Sequence, residues 1–274
     1  MSPEGLITSE FDDAAIIDTE VDAVAVVDVE SVDADDIAEL ELVVLDLDGT
    51  TVVDDGLVER AFLRAVDAAG IAVTDDELRR ARAFARGTAG RSPIEVLHAL
   101  TADEDQAQHA HAVFESAYAE LVADQGLREV PGAEDLIRRL RAIGVAVVLV
   151  SAFSRTTQDR VLDLLGWRDL ADLTLSADEA GRGLPYPDLP LTALLRTGAS
   201  SVDGMVVVGD TESDIASGLA AGAGLVVGVL TGAHDESALT EAGADAVVAS
   251  VADLVELLGL DELEADAPDG QSRR

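Results

Sequence analysis

Three apolar runs in this chain each break off in a short polar segment. Val43-Val44-Leu45 runs into Asp46-Leu47-Asp48-Gly49-Thr50. Val147-Val148-Leu149-Val150 ends at Ser151, and Val206-Val207-Val208 runs into Gly209-Asp210-Thr211-Glu212-Ser213-Asp214. Short continuous apolar runs rich in β-branched residues read as strands buried on both faces. Such strands belong to a parallel sheet covered by helices on each side, and ligands gather outside the carboxyl ends of its strands. The three polar segments are therefore expected at one crevice.

The remaining periodicity fits that architecture. The first core strand is read at 41–47. Residues 56–71 carry helical spacing through Leu57, Phe62, Leu63, Ala65 and Val66, with a stop at Gly70. A second helix follows at 75–86 with Thr74 or Asp75 as N-cap. A third opens at Pro93, a residue suited to a first helical turn, and a long helix covers about 103–124. After Pro131-Gly132 the pattern returns to alternating elements: helix 133–142, strand 145–150, helix 155–165, strand 171–176, helix 189–197, strand 204–208, helix 213–221, strand 224–229, helix 236–242, strand 245–248 and helix 251–258. Strands alternating with helices of this length predict an α/β fold, a three-layer Rossmann-like parallel sheet core with an inserted all-helical cap. The core is assigned to 40–55 and 131–260 and the cap to 56–130. Residues 1–39, where acids alternate with short apolar stretches, read as an acidic and disordered extension that is also able to form a short strand. Residues 261–274 read as a flexible tail.

Composition narrows the function. The chain of 274 residues holds 55 acidic residues against 18 basic ones, for a formal charge of -37. That balance opposes binding to nucleic acid or an anionic membrane. Every basic residue is arginine. Acidity without lysine fits either a high-salt interior or a codon bias, and sequence does not separate the two. Without cysteine there is no thiolate chemistry and no disulfide. His98, His109, His111 and His234 are the only histidines, and His109 and His111, two apart on a helix, do not share a face. A basic leader and a membrane-length apolar stretch are both missing, so a cytoplasmic protein, monomer or homodimer, is expected.

Asp46 and Asp48 lie two apart at a strand end, where Gly49 and Thr50 suggest a turn that places each carboxylate separately. An ionised Asp46 can attack phosphorus, and Asp48 can protonate the leaving oxygen and later deprotonate water. The plain alternative is a solvated loop after a strand. Clustered carboxylates repel one another unless a hard cation such as Mg²⁺ sits between them. Asp210 is a candidate ligand for it. Asp214, at a helix start, either ligates metal, holds a neighbouring group, or is an ordinary N-terminal helix acid. The Ser151 hydroxyl can bind a phosphoryl oxygen.

In this order, Asp46-Leu47-Asp48-Gly49-Thr50, Ser151 and Gly209-Asp210-Thr211-x-x-Asp214 resemble the haloacid dehalogenase superfamily in its Mg²⁺-dependent phosphatase branch, over about 41–258. Ser151-Ala152-Phe153-Ser154-Arg155, Pro185-Tyr186-Pro187-Asp188 and Gly228 through His234 are similar to the phosphonatase-like hydrolases. The resemblance implies Asp46 as nucleophile and Asp48 as acid/base. It implies Mg²⁺ held by Asp46, Asp210 and the main-chain carbonyl of Asp48, and a cap closing over the site; Asp214 remains a candidate ligand, directly or through water. Thr50, Arg91, Ala152 and Arg155 are expected to contact substrate, and His234 to stand near the crevice.

Three departures refine this. Phosphonoacetaldehyde hydrolases use a cap lysine and a small residue at the position of Asp48. Here no lysine exists, and arginine cannot form the imine. Second, the superfamily places a lysine or arginine before the Pro185-Tyr186-Pro187 segment, where this chain has Leu184; Arg182, two residues earlier, is the candidate replacement. Third, Arg91 follows Gly90 where related hydrolases carry a substrate-facing basic residue. The expected function is hydrolysis of a small-molecule phosphate monoester through an aspartyl-phosphate. A phosphosugar mutase of the same fold, or a catalytically weak or non-catalytic scaffold, are the alternatives.

Overall fold

A computed structural model of the chain describes residues 40–101 and 103–261. The expectations for residues 1–39 and for 262–274 lie outside the described residues. Six parallel strands form one sheet: β1 (Leu42–Asp46), β2 (Ala146–Ser151), β3 (Leu173–Ser176), β4 (Met205–Gly209), β5 (Leu225–Val229) and β6 (Ala246–Val248). Their order is β3-β2-β1-β4-β5-β6. The order reverses between β1 and β4, which are direct neighbours, and the crevice beyond such a reversal is where open α/β sheets bind ligands.

The β1 sequence explains its central place. Its five residues are all buried. Val43 and Leu45 enter one apolar cluster with Ala133, Leu136, Ile137 and Leu140 of helix α5 (Ala133–Ala142). Leu42 and Val44 enter another with Leu189 and Ala193 of helix α8 (Asp188–Thr197). Successive side chains of a strand point to opposite faces, so a run of five apolar or buried residues needs helices on both sides. The other helices of the core are α6 (Arg155–Leu165), α7 (Ala177–Ala180), α9 (Glu212–Ala221), α10 (Glu236–Glu241) and α11 (Leu254–Leu257).

Between β1 and α5 lie four helices and, among the described residues, no strand: α1 (Leu57–Ala68), α2 (Asp75–Arg86), α3 (Pro93–Leu100) and α4 (Glu104–Gln125). Helix α2 begins at Thr74, where Thr74 and Glu77 form a reciprocal capping box. The two chain segments joining this cap to the sheet run side by side. Val53 N–H donates to the Arg128 carbonyl and Val130 N–H to the Thr51 carbonyl, with Val52 and Glu129 bridging antiparallel.

Two local differences from the sequence reading have simple causes. The α7 turn was not anticipated. It is a single turn fixed by Ser176 and Glu179, too short for any apolar period to register. The helix expected at 251–258 divides into a 3-10 turn, Val251–Asp253, and the short α11, because Ser250 and Asp253 cap the first turn tightly.

Candidate active site

The chain does not continue straight after β1. Main-chain N–H groups of Thr51 and Val52 both return to the Leu47 carbonyl, and Gly49 N–H donates to the Val52 carbonyl. This loop turns Asp46 and Asp48 away from a shared strand face. Gly49 makes the turn at φ 87°, and a Cβ there would stand 2.5 Å from Asp210 Oδ2. Any side chain at position 49 is therefore excluded both by conformation and by the carboxylate beside it.

Asp210 follows β4 and is held from two directions. Its Oδ1 accepts the Thr50 hydroxyl at 3.0 Å and its Oδ2 accepts Ala233 N–H at 2.7 Å. Thr50 is fully buried. Its side chain thus orients Asp210 and does not line the cavity, contrary to the expectation that it meets substrate. Asp214 stands as an acid of the first turn of α9 and holds Thr211. It closes a capping box at the start of α9, where its Oδ2 accepts Thr211 N–H at 3.0 Å and the Thr211 hydroxyl at 2.5 Å.

The four carboxyl groups disturb one another. Burial pushes Asp46 well above the usual carboxylate range, and the charges of Asp214, Asp210 and Asp48 push the same way. Burial raises Asp48 to about 7, helped by Asp54 and opposed by the Tyr118 hydroxyl. Asp214 is raised to about 7 by burial and Asp210, and Asp210 to about 6 by burial. Low dielectric penalises each charged form, and like charges add to it. Such a cluster is short of positive charge.

The residues suit a hard cation by the chemistry of their donors. Asp46 and Asp210 offer carboxylate oxygens, and the Asp48 carbonyl is a further oxygen donor. Among the described residues, no group of three His, Cys, Asp or Glu is gathered closely enough to hold a metal by side chains alone. Two carboxylates and a carbonyl, with water completing the shell, is a donor set that fits Mg²⁺, which keeps several waters.

A cavity of about 650 Å³ opens above these residues. The core supplies Asp46, Asp48, Ser151, Ala152, Asp210 and His234. The cap supplies Phe62, Arg86, Arg91 and Phe114. The Ser151 hydroxyl accepts Phe153 N–H at 3.1 Å, which leaves its own proton free to donate. His234 accepts Glu212 N–H on Nδ1 at 2.8 Å, which fixes Nε2 as its protonated nitrogen in the neutral ring. A second hollow of about 680 Å³, beside the starts of β2 and β3, is lined by Arg141, Asp172 and Arg196 among others and gathers no such chemistry.

Two expected contacts lie elsewhere. Arg182 is exposed, pairs with Asp188 at 2.8 Å and lies 4.3 Å over the Tyr186 ring, so it does not reach the cavity. Leu184 is buried in the apolar layer with Leu42, Val44, Val148 and Val150. Position 184 thus faces hydrocarbon, and Asp188 and Tyr186 hold Arg182 at the surface. Arg155 is likewise engaged, by Asp159 at 2.8 Å and Glu179 at 3.1 Å, and does not line the cavity. Among the described residues, the arginines that line it are Arg86, which pairs with Glu59 at 2.6 Å, and Arg91.

The cap loop that carries Arg91 rests directly on the core. Ser213 donates its hydroxyl to the Ala89 carbonyl at 2.8 Å. Gly90 has φ 81°, and a Cβ there would overlap the Thr211 hydroxyl. Sequence reasoning missed Tyr118 of α4, whose hydroxyl donates to Asp48 Oδ1 at 3.0 Å. No short-range motif signals it, since 70 residues separate the pair.

A family model of haloacid dehalogenase-like hydrolases matches residues 40–222, most of the chain. The chain belongs to that family. The match begins two residues before β1 and reaches past α9, so it covers both acidic strand ends and the whole cap. Similar proteins include the bifunctional riboflavin kinase/FMN phosphatase of Arabidopsis thaliana. It is 28% identical over 66% of this chain, although the chain spans only 46% of that protein. The phosphorylated carbohydrates phosphatase of Thermotoga maritima is 26% identical over 76% of this chain and 94% of its own length. Among solved structures, a phosphonoacetaldehyde hydrolase-like protein from Oleispira antarctica superposes with a TM-score of 0.70 over 86% of this chain and 97% of that one. At 22% identity this is a likeness of fold. Membership implies a hydrolase that works with a divalent metal. No helix among the described residues is long and apolar enough to cross a membrane.

Proposed function

We propose that this hydrolase cleaves small phosphate monoesters, with Asp46 as the nucleophile. The observation that carries this reading is the placement of Asp46 and Asp48 at the end of β1, beside Asp210 at the end of β4, beneath a cavity roofed by the cap. The Asp46 carboxylate attacks phosphorus and forms an aspartyl-phosphate as the ester O–P bond breaks. The Asp48 carboxyl group gives its proton to the departing oxygen. It then takes a proton from the water that hydrolyses the intermediate. Ser151 donates to a phosphoryl oxygen. When bound, Mg²⁺ neutralises the gathered carboxylates and the phosphoryl charge, held by Asp46, Asp210 and the Asp48 carbonyl.

The cap limits substrates to small molecules. It keeps bulk water from the site during transfer, and the hydrogen bond from Ser213 to Ala89 ties its loop to the core. The T. maritima relative's name supports a phosphorylated carbohydrate as the substrate class. A Schiff-base cleavage of a carbon–phosphorus bond is unsupported, because the chain contains no lysine. Release of phosphate from a panel of sugar phosphates, polyol phosphates and p-nitrophenyl phosphate, with and without Mg²⁺, tests the reading. Mg²⁺-dependent release lost in Asp46→Asn is expected. No release across the panel by folded protein contradicts it.

A further inference from the structure

Helix α4 of the cap touches the core at the loops after β1 and β2. Phe114 and Tyr118, four residues apart, share one face of the helix and stack at 6.2 Å. Phe153, from the loop after β2, packs against Tyr118 at 4.9 Å and against Phe114 at 6.0 Å. Between the two rings in sequence, Glu115 accepts hydrogen bonds from the Ser154 and Thr157 hydroxyls at the start of α6. The aromatic cluster and Glu115 together fix the helix over the ends of β1 and β2.

The Tyr118 hydroxyl is the group this seating delivers. The residue is 2% exposed, and its hydroxyl meets Asp48 Oδ1 at 3.0 Å. A phenol hydroxyl carries the proton and a carboxyl oxygen the lone pairs, so Tyr118 is the donor of that bond. A carboxyl group that accepts on Oδ1 keeps its exchangeable proton on Oδ2, and rotation of the carboxyl plane costs the bond. Asp48 Oδ2 has no hydrogen-bond partner among the described residues and belongs to a residue that lines the cavity.

We propose that Tyr118 is a positioning residue, through which the seating of α4 orients Asp48 to hand its Oδ2 proton to the leaving oxygen. This rests on Asp48 acting as the acid/base described above. In the step it serves, the O–P bond of the ester breaks, the Asp46 oxygen–phosphorus bond forms, and the proton moves from Asp48 Oδ2 to the ester oxygen. Tyr118 keeps its own proton throughout. An alkoxide leaves poorly without that proton, whereas p-nitrophenolate leaves without it. The hydroxyl therefore matters for alkyl phosphates and little for the aryl ester.

The test compares Tyr118→Phe with wild type, using p-nitrophenyl phosphate and the best alkyl phosphate of the sugar and polyol phosphate panel. Because kcat/KM reports the steps through phosphoryl transfer, the variant should lose about tenfold or more in kcat/KM on the alkyl ester. It should change less than about twofold on the aryl ester, which also shows that the fold and cavity are intact. Equal losses on both esters, or none on either, overturn the proposal. Asp48→Asn, run beside it, separates the two readings: if it retains full kcat/KM on the alkyl ester, Asp48 is not the acid and the proposal for Tyr118 falls with it. If Asp48→Asn shows the leaving-group dependence and Tyr118→Phe does not, only the role of Tyr118 fails.

Discussion

Thr50 donates its hydroxyl proton to Asp210 Oδ1 across 3.0 Å, tying the loop after β1 to the end of β4. The two residues are 160 positions apart, yet they meet because β1 and β4 are neighbours at the reversal of strand order. A hydrogen bond of this kind fixes which Asp210 oxygen faces the site. Residues that orient a metal-binding carboxylate typically affect metal affinity by about 10–100-fold. Thr50→Val, which keeps the shape and removes the donor, should raise the Mg²⁺ concentration needed for half-maximal activity by about tenfold. Thr50→Ser should restore it. Titration of activity against Mg²⁺ checks both.

Arg182 is spent on Asp188 and Tyr186. Exposed ion pairs contribute about 0–1 kcal/mol, so the loss of this one should hardly affect the fold. Arg182→Ala should leave kcat/KM within about twofold of wild type and lower stability by less than about 1 kcal/mol. A large loss of kcat in this variant would show that the arginine swings inward during turnover. Steady-state kinetics and denaturant unfolding measure the two effects separately.

Much of this was readable from residue order, because the informative features are local. Each of the three apolar runs carried its own polar end, and the Asp46, Ser151 and Asp210 segments do lie at adjacent strand ends. The helical insert was visible from helical spacing that resumes after each stop between β1 and Pro131. What sequence did not disclose depends on distant pairings. Arg182 lay in the right stretch of chain, but its partner Asp188 and the burial of Leu184 decide its direction. Tyr118 looked like one more apolar position of a long helix, and only the seating of α4 brings it to Asp48.

The carboxylate cluster sets a pH dependence of stability whose sign is fixed. Asp48 and Asp214 are raised to about 7 and Asp210 to about 6 in the folded protein, against about 4 in an unfolded chain. Folded protein therefore binds more protons than unfolded protein between about pH 4 and 7. The stability contributed by the protonated forms is fully present at the acid end of that window and is lost as pH rises through it. In EDTA, the Tm should fall from pH 5 to pH 8, and excess Mg²⁺ should recover part of the loss at the alkaline end. Asp48→Asn, which removes one titrating group and leaves the exposed carboxylates in place, should flatten the fall in EDTA. A Tm profile unchanged by that substitution would assign the fall to the protein's overall negative charge instead.

Gly90 holds the cap loop against Thr211 with φ 81°. Gly90→Ala adds a methyl group where the Thr211 hydroxyl already stands and strains the backbone by about 1 kcal/mol or more. The loop carrying Arg91 should then seat poorly. We expect kcat/KM to fall by about tenfold or more, since small misplacements near a reacting centre are costly. The Tm should drop by only a few degrees, as the change is confined to one loop. Kinetics alongside thermal unfolding decide whether the loss lies in the site or in the fold.

The central claim is that Asp46 becomes phosphorylated during turnover. Quenching the reaction in its steady state and reducing with borohydride converts an aspartyl-phosphate to homoserine, and peptide mass spectrometry locates it. Homoserine at position 46, formed only with substrate and Mg²⁺ and missing in Asp46→Asn, is the predicted result. Rapid turnover with an unmodified Asp46, or with the label at another carboxylate, would contradict the account.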